Sequence, residues 1–151
     1  MGCSGGPDSV VLADVLVGLA EAFALTVTVA SVDHGLRPEA PEEVQHVAQL
    51  SQGWGVPFRG LALALEPGPG APARARQARY QALEALRREL GADVVAVGHT
   101  RDDQAETVLA RLLRGSGVRG LRGIAPARED AVVRPLIDCA RADVHAYLET
   151  R

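Results

Sequence analysis

Cys3-Ser4-Gly5-Gly6-Pro7-Asp8-Ser9, followed at once by the apolar run Val10-Val11-Leu12-Ala13, is the stretch on which the reading of this chain turns. Adjacent glycines remove the Cβ atoms that keep an anion away from the backbone. They also permit positive φ angles that aim successive N–H groups into one concavity. Asp8 and Ser9 suit the start of a helix, where either side chain can cap free N–H donors while the remaining donors and the helix dipole favour a bound anion. Each exposed charge gains only about 0.3–1 kcal/mol from that field, so several N–H contacts must act together to hold a polyphosphate. No Gly-Lys-Ser/Thr follows the glycines, so this is not a Walker A loop. The stretch reads either as a phosphate cradle or as an ordinary strand-to-helix turn.

Outward from the loop, the apolar positions Val11, Leu12, Val15, Leu16, Leu19 and Phe23 predict a helix over 8–24 with one broad buried face. Residues 25–32 (LTVTVASV) are β-branched and strand-like, ending in the turn Asp33-His34-Gly35. Pro41-Glu42-Glu43 opens a helix that Gly53-Trp54-Gly55 stops. A second strand is expected over 56–65, a mobile loop over 66–72, and a helix over 73–90 closed by Gly91. Residues 93–97 read as a buried parallel strand running into Gly98-His99-Thr100, and 102–114 as a helix closed by Gly115-Ser116-Gly117. A last strand over 131–137 and a helix from 140 complete the chain. Strands alternating with helices predict an α/β fold, a parallel sheet with helices on both faces. Ligands in such folds sit beyond the carboxyl ends of the strands, where Ser4-Gly5-Gly6, Asp33-His34-Gly35 and Gly98-His99 all fall. The strand that should precede Ser4 has only Met1, Gly2 and Cys3, so a truncated first strand is expected.

The 151 residues suffice for one domain with a substantial core. With five aromatic residues the core is aliphatic, and stacking platforms for bases are few. All sixteen basic residues are Arg, which makes planar, bidentate phosphate contacts. A net charge of −3 excludes a uniformly basic nucleic-acid binder and leaves room for a local patch. Arg111, Arg114, Arg119 and Arg122, spaced by glycines, form that patch and suit nucleic-acid phosphates. Cys3 and Cys139 make no C-x-x-C pair, so neither a zinc site nor a dithiol motif is indicated. Without an 18-residue apolar run or a signal-peptide core, a cytoplasmic protein with no membrane contact is expected.

A second constellation is Gly98-His99-Thr100-Arg101-Asp102-Asp103-Gln104-Ala105-Glu106-Thr107. Asp103 and Glu106, three apart, share one face of a helix start. They can hold Mg²⁺, grip a cationic amine, or simply cap the helix. Arg79, in an Arg-rich helix, and His34, in a turn, have solvated or structural readings of their own. His46, His145 and Trp54 read as structural.

Ser4-Gly5-Gly6-Pro7-Asp8-Ser9 and residues 98–107 (GHTRDDQAET) together resemble the PP-loop ATP pyrophosphatases, whose fold is the adenine nucleotide alpha hydrolase-like one. Residues 33–40 (DHGLRPEA), 111–121 (RLLRGSGVRGL) and 134–137 (RPLI) are similar to the tRNA(Ile)-lysidine synthase family within them. That resemblance spans essentially the whole chain as the N-terminal catalytic domain. The tRNA-binding regions the family carries after that domain are not seen. It implies that ATP adenylates the C2 oxygen of the wobble cytidine in a CAU-anticodon isoleucine tRNA, after which the amine of free lysine displaces AMP. By position, Ser4, Gly5, Gly6, Pro7, Asp8 and Ser9 would bind ATP, with Asp8 near Mg²⁺. Arg79 and His99 would approach ATP or the adenylated base, and Asp103, Glu106 and Asp33 would hold lysine. A homodimer is also expected. The alternatives are a tRNA thiolase of the same superfamily and a nucleotide-binding module without turnover.

Overall fold

The computed structural model describes residues 1–35, 39–66, 68–117 and 122–151. Its elements, in chain order, are α1 (Pro7–Gly18), β1 (Val29–Asp33), α2 (Ala40–Gly53), β2 (Phe58–Ala62), α3 (Ala71–Glu89), β3 (Val95–Ala96), α4 (Arg101–Leu113), β4 (Val132–Val133) and α5 (Arg141–Glu149). The strands pair in parallel, β1 with β2 and β3 with β4.

The short stretch Met1–Cys3 joins these two pairs. Gly2 bridges in parallel to Ala30 on one side and to Val97 on the other. The Gly2 N–H donates to the Ala96 carbonyl (2.9 Å), the Cys3 N–H to Ala30 (2.8 Å), and the Ala30 N–H to Met1 (2.8 Å). The order across the sheet is therefore β2, β1, residues 1–3, β3, β4. The expected truncated strand is present as a hydrogen-bonded centre, and the loop that follows it is anchored on both sides.

Side chains of successive strand residues point to opposite faces. Ala30, Val95, Val97 and Val132 meet Leu83 and Leu86 of α3. Val29 meets Ala13 of α1 and Val47 of α2, and Ala96 meets Leu12 of α1 and Val144 of α5. Thus α3 covers one face while α1, α2 and α5 cover the other, the expected three-layer arrangement. Leu83 reaches so far in that a Cβ on Gly2 would stand 3.0 Å from its Cδ1.

Several elements are shorter than their sequence patterns. Helix α1 ends at Gly18, and turns carry the chain to Ala24, which has φ 51°. Leu19 and Phe23 therefore lie outside the buried face assigned to them, Phe23 being 68% exposed. Strand β1 starts at Val29 because only from there does β2 supply a partner, and β4 stops before Arg134-Pro135.

Asp14 ties three elements together from the outer side of α1. Its carboxylate accepts from Trp54 Nε1 after α2 (3.1 Å), from the Tyr147 hydroxyl on α5 (2.6 Å) and from Arg151 Nε (2.9 Å). Burial alone would raise its pKa, but those three hydrogen bonds outweigh burial and hold it below the usual range. Trp54 has the structural role its sequence context suggests. Hydrogen bonds to a charged group are worth about 1.5–3 kcal/mol each. Asp14→Ala should therefore lower unfolding free energy by about 2 kcal/mol or more. Wild-type stability should also decline as pH falls through the depressed Asp14 pKa, a loss absent from the variant, as urea denaturation at several pH values would show.

Candidate active site

The carboxyl ends of residues 1–3, β1 and β3 open onto one cavity of about 460 Å³. It lies where the chain order reverses direction across the sheet, the usual ligand position in such sheets. Its lining includes Ser4, Gly6, Pro7, Asp8, Ser9, His34, Arg79, His99 and Asp103. Stretches far apart in sequence thus meet at one rim. Gly5 lies in the same loop, and Asp33 and Glu106 stand outside the lining.

The loop owes its shape to one glycine and one serine. Gly5 has φ 82°, a backbone that side chains rarely adopt, whereas Gly6 is extended (φ −73°, ψ 159°), and its bareness serves to leave the cavity open. The buried Ser9 hydroxyl donates to the Gly6 carbonyl (2.9 Å) and accepts the Ser4 N–H (3.1 Å), closing the loop upon itself. No side chain caps α1 among the described residues; Pro7 has no N–H and the Ser9 N–H turns back to the Gly6 carbonyl (3.1 Å), so the helix start offers a ligand its dipole and few free donors. Ser9 shapes the loop rather than capping the helix.

Gly98 sets how closely β3 approaches that helix. A Cβ there would stand 2.8 Å from the Asp8 carbonyl oxygen and 3.0 Å from the Ser9 nitrogen, both backbone atoms.

Beyond Gly98, Thr100 is fully buried, and Asp103 Oδ2 accepts its backbone N–H (2.8 Å) and its hydroxyl (3.2 Å). Asp103 thus caps α4 as well as lining the cavity. Its other oxygen receives Arg141 Nη2 at 3.2 Å, while Arg141 Nη1 reaches Glu106 Oε1 at 3.2 Å. The Arg141 backbone N–H donates to Asp102 Oδ2 at 2.6 Å. Arg141 was not legible as a site residue, because nothing near it in sequence announces a partner 38 positions away. One guanidinium against two carboxylates leaves one negative charge uncompensated. Asp33 spends Oδ1 on the Gly35 N–H (2.7 Å), forming a turn.

His99 is a neutral imidazole. Burial, then the positive charges of Arg134 and Arg76, lower its pKa to about 4. Its buried Nδ1 has no hydrogen-bond partner. Arg134 is 4% exposed, with one guanidinium nitrogen donating to the Ala125 carbonyl and Nε unpartnered. Ser31 and Glu43 also line the cavity, residues that no motif singled out.

The residues fit a divalent cation beside the phosphate loop. Asp8 Oδ1 is buried without a partner among the described residues, and burial, then the Asp103 charge, raise the Asp8 pKa. A cation there would relieve both penalties. No cluster of three or more His, Cys, Asp or Glu ligands occurs among the described residues. Mg²⁺ needs none, since it takes one or two carboxylates, waters and substrate phosphates.

Three members of the arginine patch fall among the described residues. Arg111 Nη1 donates to the Gly123 carbonyl (3.1 Å), so that side chain braces its own loop. Gln104 makes reciprocal hydrogen bonds with Ile124 in the same segment. Arg114 and Arg122 are exposed, and Arg119 lies outside the described residues. No helix among the described residues is long and apolar enough to cross a membrane.

Two outcomes are expected. Gly98→Ala should cost about 1–3 kcal/mol of stability, as overpacking against rigid backbone does, and weaken nucleotide binding, measured by urea denaturation and calorimetric ATP titration. The His99 imidazole should titrate near pH 4 by NMR. With an ordinary pKa of 6.5 in the unfolded chain, unfolded molecules take up a proton between about pH 6.5 and 4 that folded ones refuse. Stability contributed by the neutral His99 should be full above that window and fall within it, less so in His99→Gln.

The chain is 45% identical to the tRNA(Ile)-lysidine synthase of Bradyrhizobium diazoefficiens, over 97% of this chain and 42% of that protein. It is 43% identical to that of Solibacter usitatus, over 100% of this chain and 34% of that protein. The chain thus spans well under half the length of these curated relatives. Among solved structures it resembles the U34-tRNA thiolase NcsA from Methanococcus maripaludis, with a TM-score of 0.79 and 20% identity, covering 99% of this chain and 55% of that one. That likeness speaks for the fold. Residues 1–151 match the family described as the PP-loop domain, and the chain belongs to that family.

Proposed function

We propose that this chain carries the ATP-dependent step of a tRNA(Ile)-lysidine synthase, ligating lysine to C2 of the wobble cytidine in a CAU-anticodon isoleucine tRNA. The observation that carries the reading is the single cavity in which the glycine loop, Arg79, a neutral His99 and Asp103 meet. The relatives named for that activity support the choice of reaction.

The loop 4–9 and the N-terminus of α1 hold the ATP phosphates. Asp8 holds Mg²⁺, which supplies charge neutralisation at those phosphates. The cytidine C2 oxygen attacks the α-phosphorus, the bond to the β-phosphate breaks, and pyrophosphate leaves. Arg79 stabilises charge on the α-phosphate, and the uncharged His99 offers a hydrogen bond without competing for anionic oxygen. The amine of lysine then attacks C2, the C2–O bond breaks, and AMP departs with the oxygen. A carbonyl oxygen is a poor leaving group, which is what adenylation corrects. Lysine is held by the negative charge left uncompensated on Asp103 and Glu106; one of those carboxylates takes a proton from the ammonium to free the attacking lone pair, and a second proton leaves to solvent once the C–N bond has formed.

Incubation with ATP, Mg²⁺, lysine and the CAU-anticodon tRNA tests this. Lysine-dependent AMP release is the expected result. In a parallel reaction with sulfide in place of lysine, sulfur incorporation would point to a thiolase, and ATP binding without turnover in either reaction to a nucleotide-binding module. Asp103→Asn keeps an oxygen for the Thr100 cap but removes the charge, so it should abolish the lysine step while pyrophosphate release persists. Loss of both steps together in a folded variant would remove Asp103 from the lysine site.

A further inference from the structure

On the α3 flank, a second cavity of about 420 Å³ is lined by Ala73, Arg76, Gln77, Tyr80, Gln81 and Glu84, with Arg128 and Asp130 from the segment before β4. The six helical positions form one i, i+3, i+4 stripe, so they share a face. Tyr80 lies at its centre. The guanidinium carbons of Arg76, Arg79 and Arg128 lie 5.4, 5.5 and 5.2 Å from its ring centroid. Three cations on one ring attract the ring but repel each other. Both carboxylates of the lining are already committed, Glu84 to Arg87 and Arg88, and Asp130 to Arg128. Arg76 and Arg79 have no carboxylate partner among the described residues, and the buried Tyr80 hydroxyl has no hydrogen-bond partner.

These features require an anion with oxygen acceptors. They also place it relative to the active site, because Arg79, three residues and about 4.5 Å along the helix axis from Arg76, lines the first cavity. One helix therefore carries cationic groups into two adjacent cavities. A ligand that repeats an anionic group and a planar ring from unit to unit matches both, and that is a nucleic-acid strand.

We propose that the Arg76–Tyr80–Arg128 cavity binds the phosphodiester of a nucleotide flanking the one that enters the first cavity, and so is a single-stranded RNA subsite. This rests on the RNA substrate proposed above. The exposed Arg76 guanidinium, seated over the Tyr80 ring, donates to phosphate oxygens, while the Arg128–Asp130 pair holds the segment that walls the cavity.

The test is fluorescence anisotropy with a labelled single-stranded RNA oligonucleotide, titrated at several salt concentrations. Arg76→Gln and Arg128→Gln, on different segments and both exposed, should each weaken RNA binding roughly fivefold. Arg76→Gln should lower the salt slope by about 0.7, the value for one lost phosphate contact on a single strand, whereas Arg128→Gln, which loosens the wall, should leave the slope near that of the wild type. ATP affinity should be unchanged in Arg128→Gln, whose side chain lies outside the first cavity. Wild-type RNA affinity and slope in the double variant would overturn the assignment. So would a parallel loss of ATP affinity, which would give these arginines to the first cavity, or displacement of the RNA by AMP at equal concentration, which would make the site one for a mononucleotide. Absence of lysine-dependent AMP release would remove the reaction proposed above and leave this binding result standing.

Discussion

The backbone of residues 1–3, hydrogen-bonded between β1 and β3, is the constraint on which the rest of the structure depends. Without those bonds the sheet would be two separate parallel pairs. With them, the chain leaves the central strand at Ser4 and enters the loop immediately, so the loop inherits the position of a strand held from both sides. Gly2 makes this possible on α3's side too, since Leu83 occupies the space that a side chain would need. The cavity lies at the end of this strand because successive elements add to its two sides in turn. A crevice at that point is a consequence of topology.

Charge in this molecule is apportioned between structure and site. Every basic side chain is an arginine, yet they do different things. Arg87 and Arg88 are taken up by Glu84, and Arg151 by Asp14. Arg141 neutralises part of the acidic cluster at α4, and Arg134 is buried against the segment that precedes β4. The arginines left without carboxylates around Tyr80 lie beside the cavity, and their field helps keep His99 neutral. Composition alone could say that a local positive patch was allowed. Which arginines form it depends on where the acids fall in the fold.

That distinction explains what the sequence disclosed. The glycine loop, the alternation of strands and helices, and the Gly-His turn are local patterns, and the cavity contains Ser4, Asp8, His99 and Asp103 as those patterns suggest, while Arg79 was named only by the family resemblance. The Arg141 bridge to Asp103 and Glu106, the Gln104 bonds to Ile124, and the Arg128 contact with Tyr80 are all long-range, and no periodicity encodes them. Helical spacing was misleading at Leu19 and Phe23, because a pattern of apolar residues continues past the point where Gly18 lets the helix end. The same limit applies to α4, whose Leu109, Leu112 and Leu113 are spaced for burial and yet are exposed, Leu113 to 79%.

The two helix starts at the cavity make opposite electrostatic offers. Both α1 and α4 present the positive end of a dipole. Helix α1 has no side-chain cap, and its first-turn acid, Asp8, is itself destabilised as an anion by burial and by Asp103. Helix α4 has its donors answered by Asp103, and Asp102 and Glu106 add further negative charge that Arg141 only partly cancels. A negatively charged group is therefore favoured at α1 and a positively charged one at α4. Because Gly98 brings the backbone of β3 against the first turn of α1 immediately before α4 begins, the two preferences are held at one fixed separation within one cavity. In the reaction proposed above a phosphate and an amine would meet at one base, and the contact at Gly98 would keep the two preferences at that separation without any side chain.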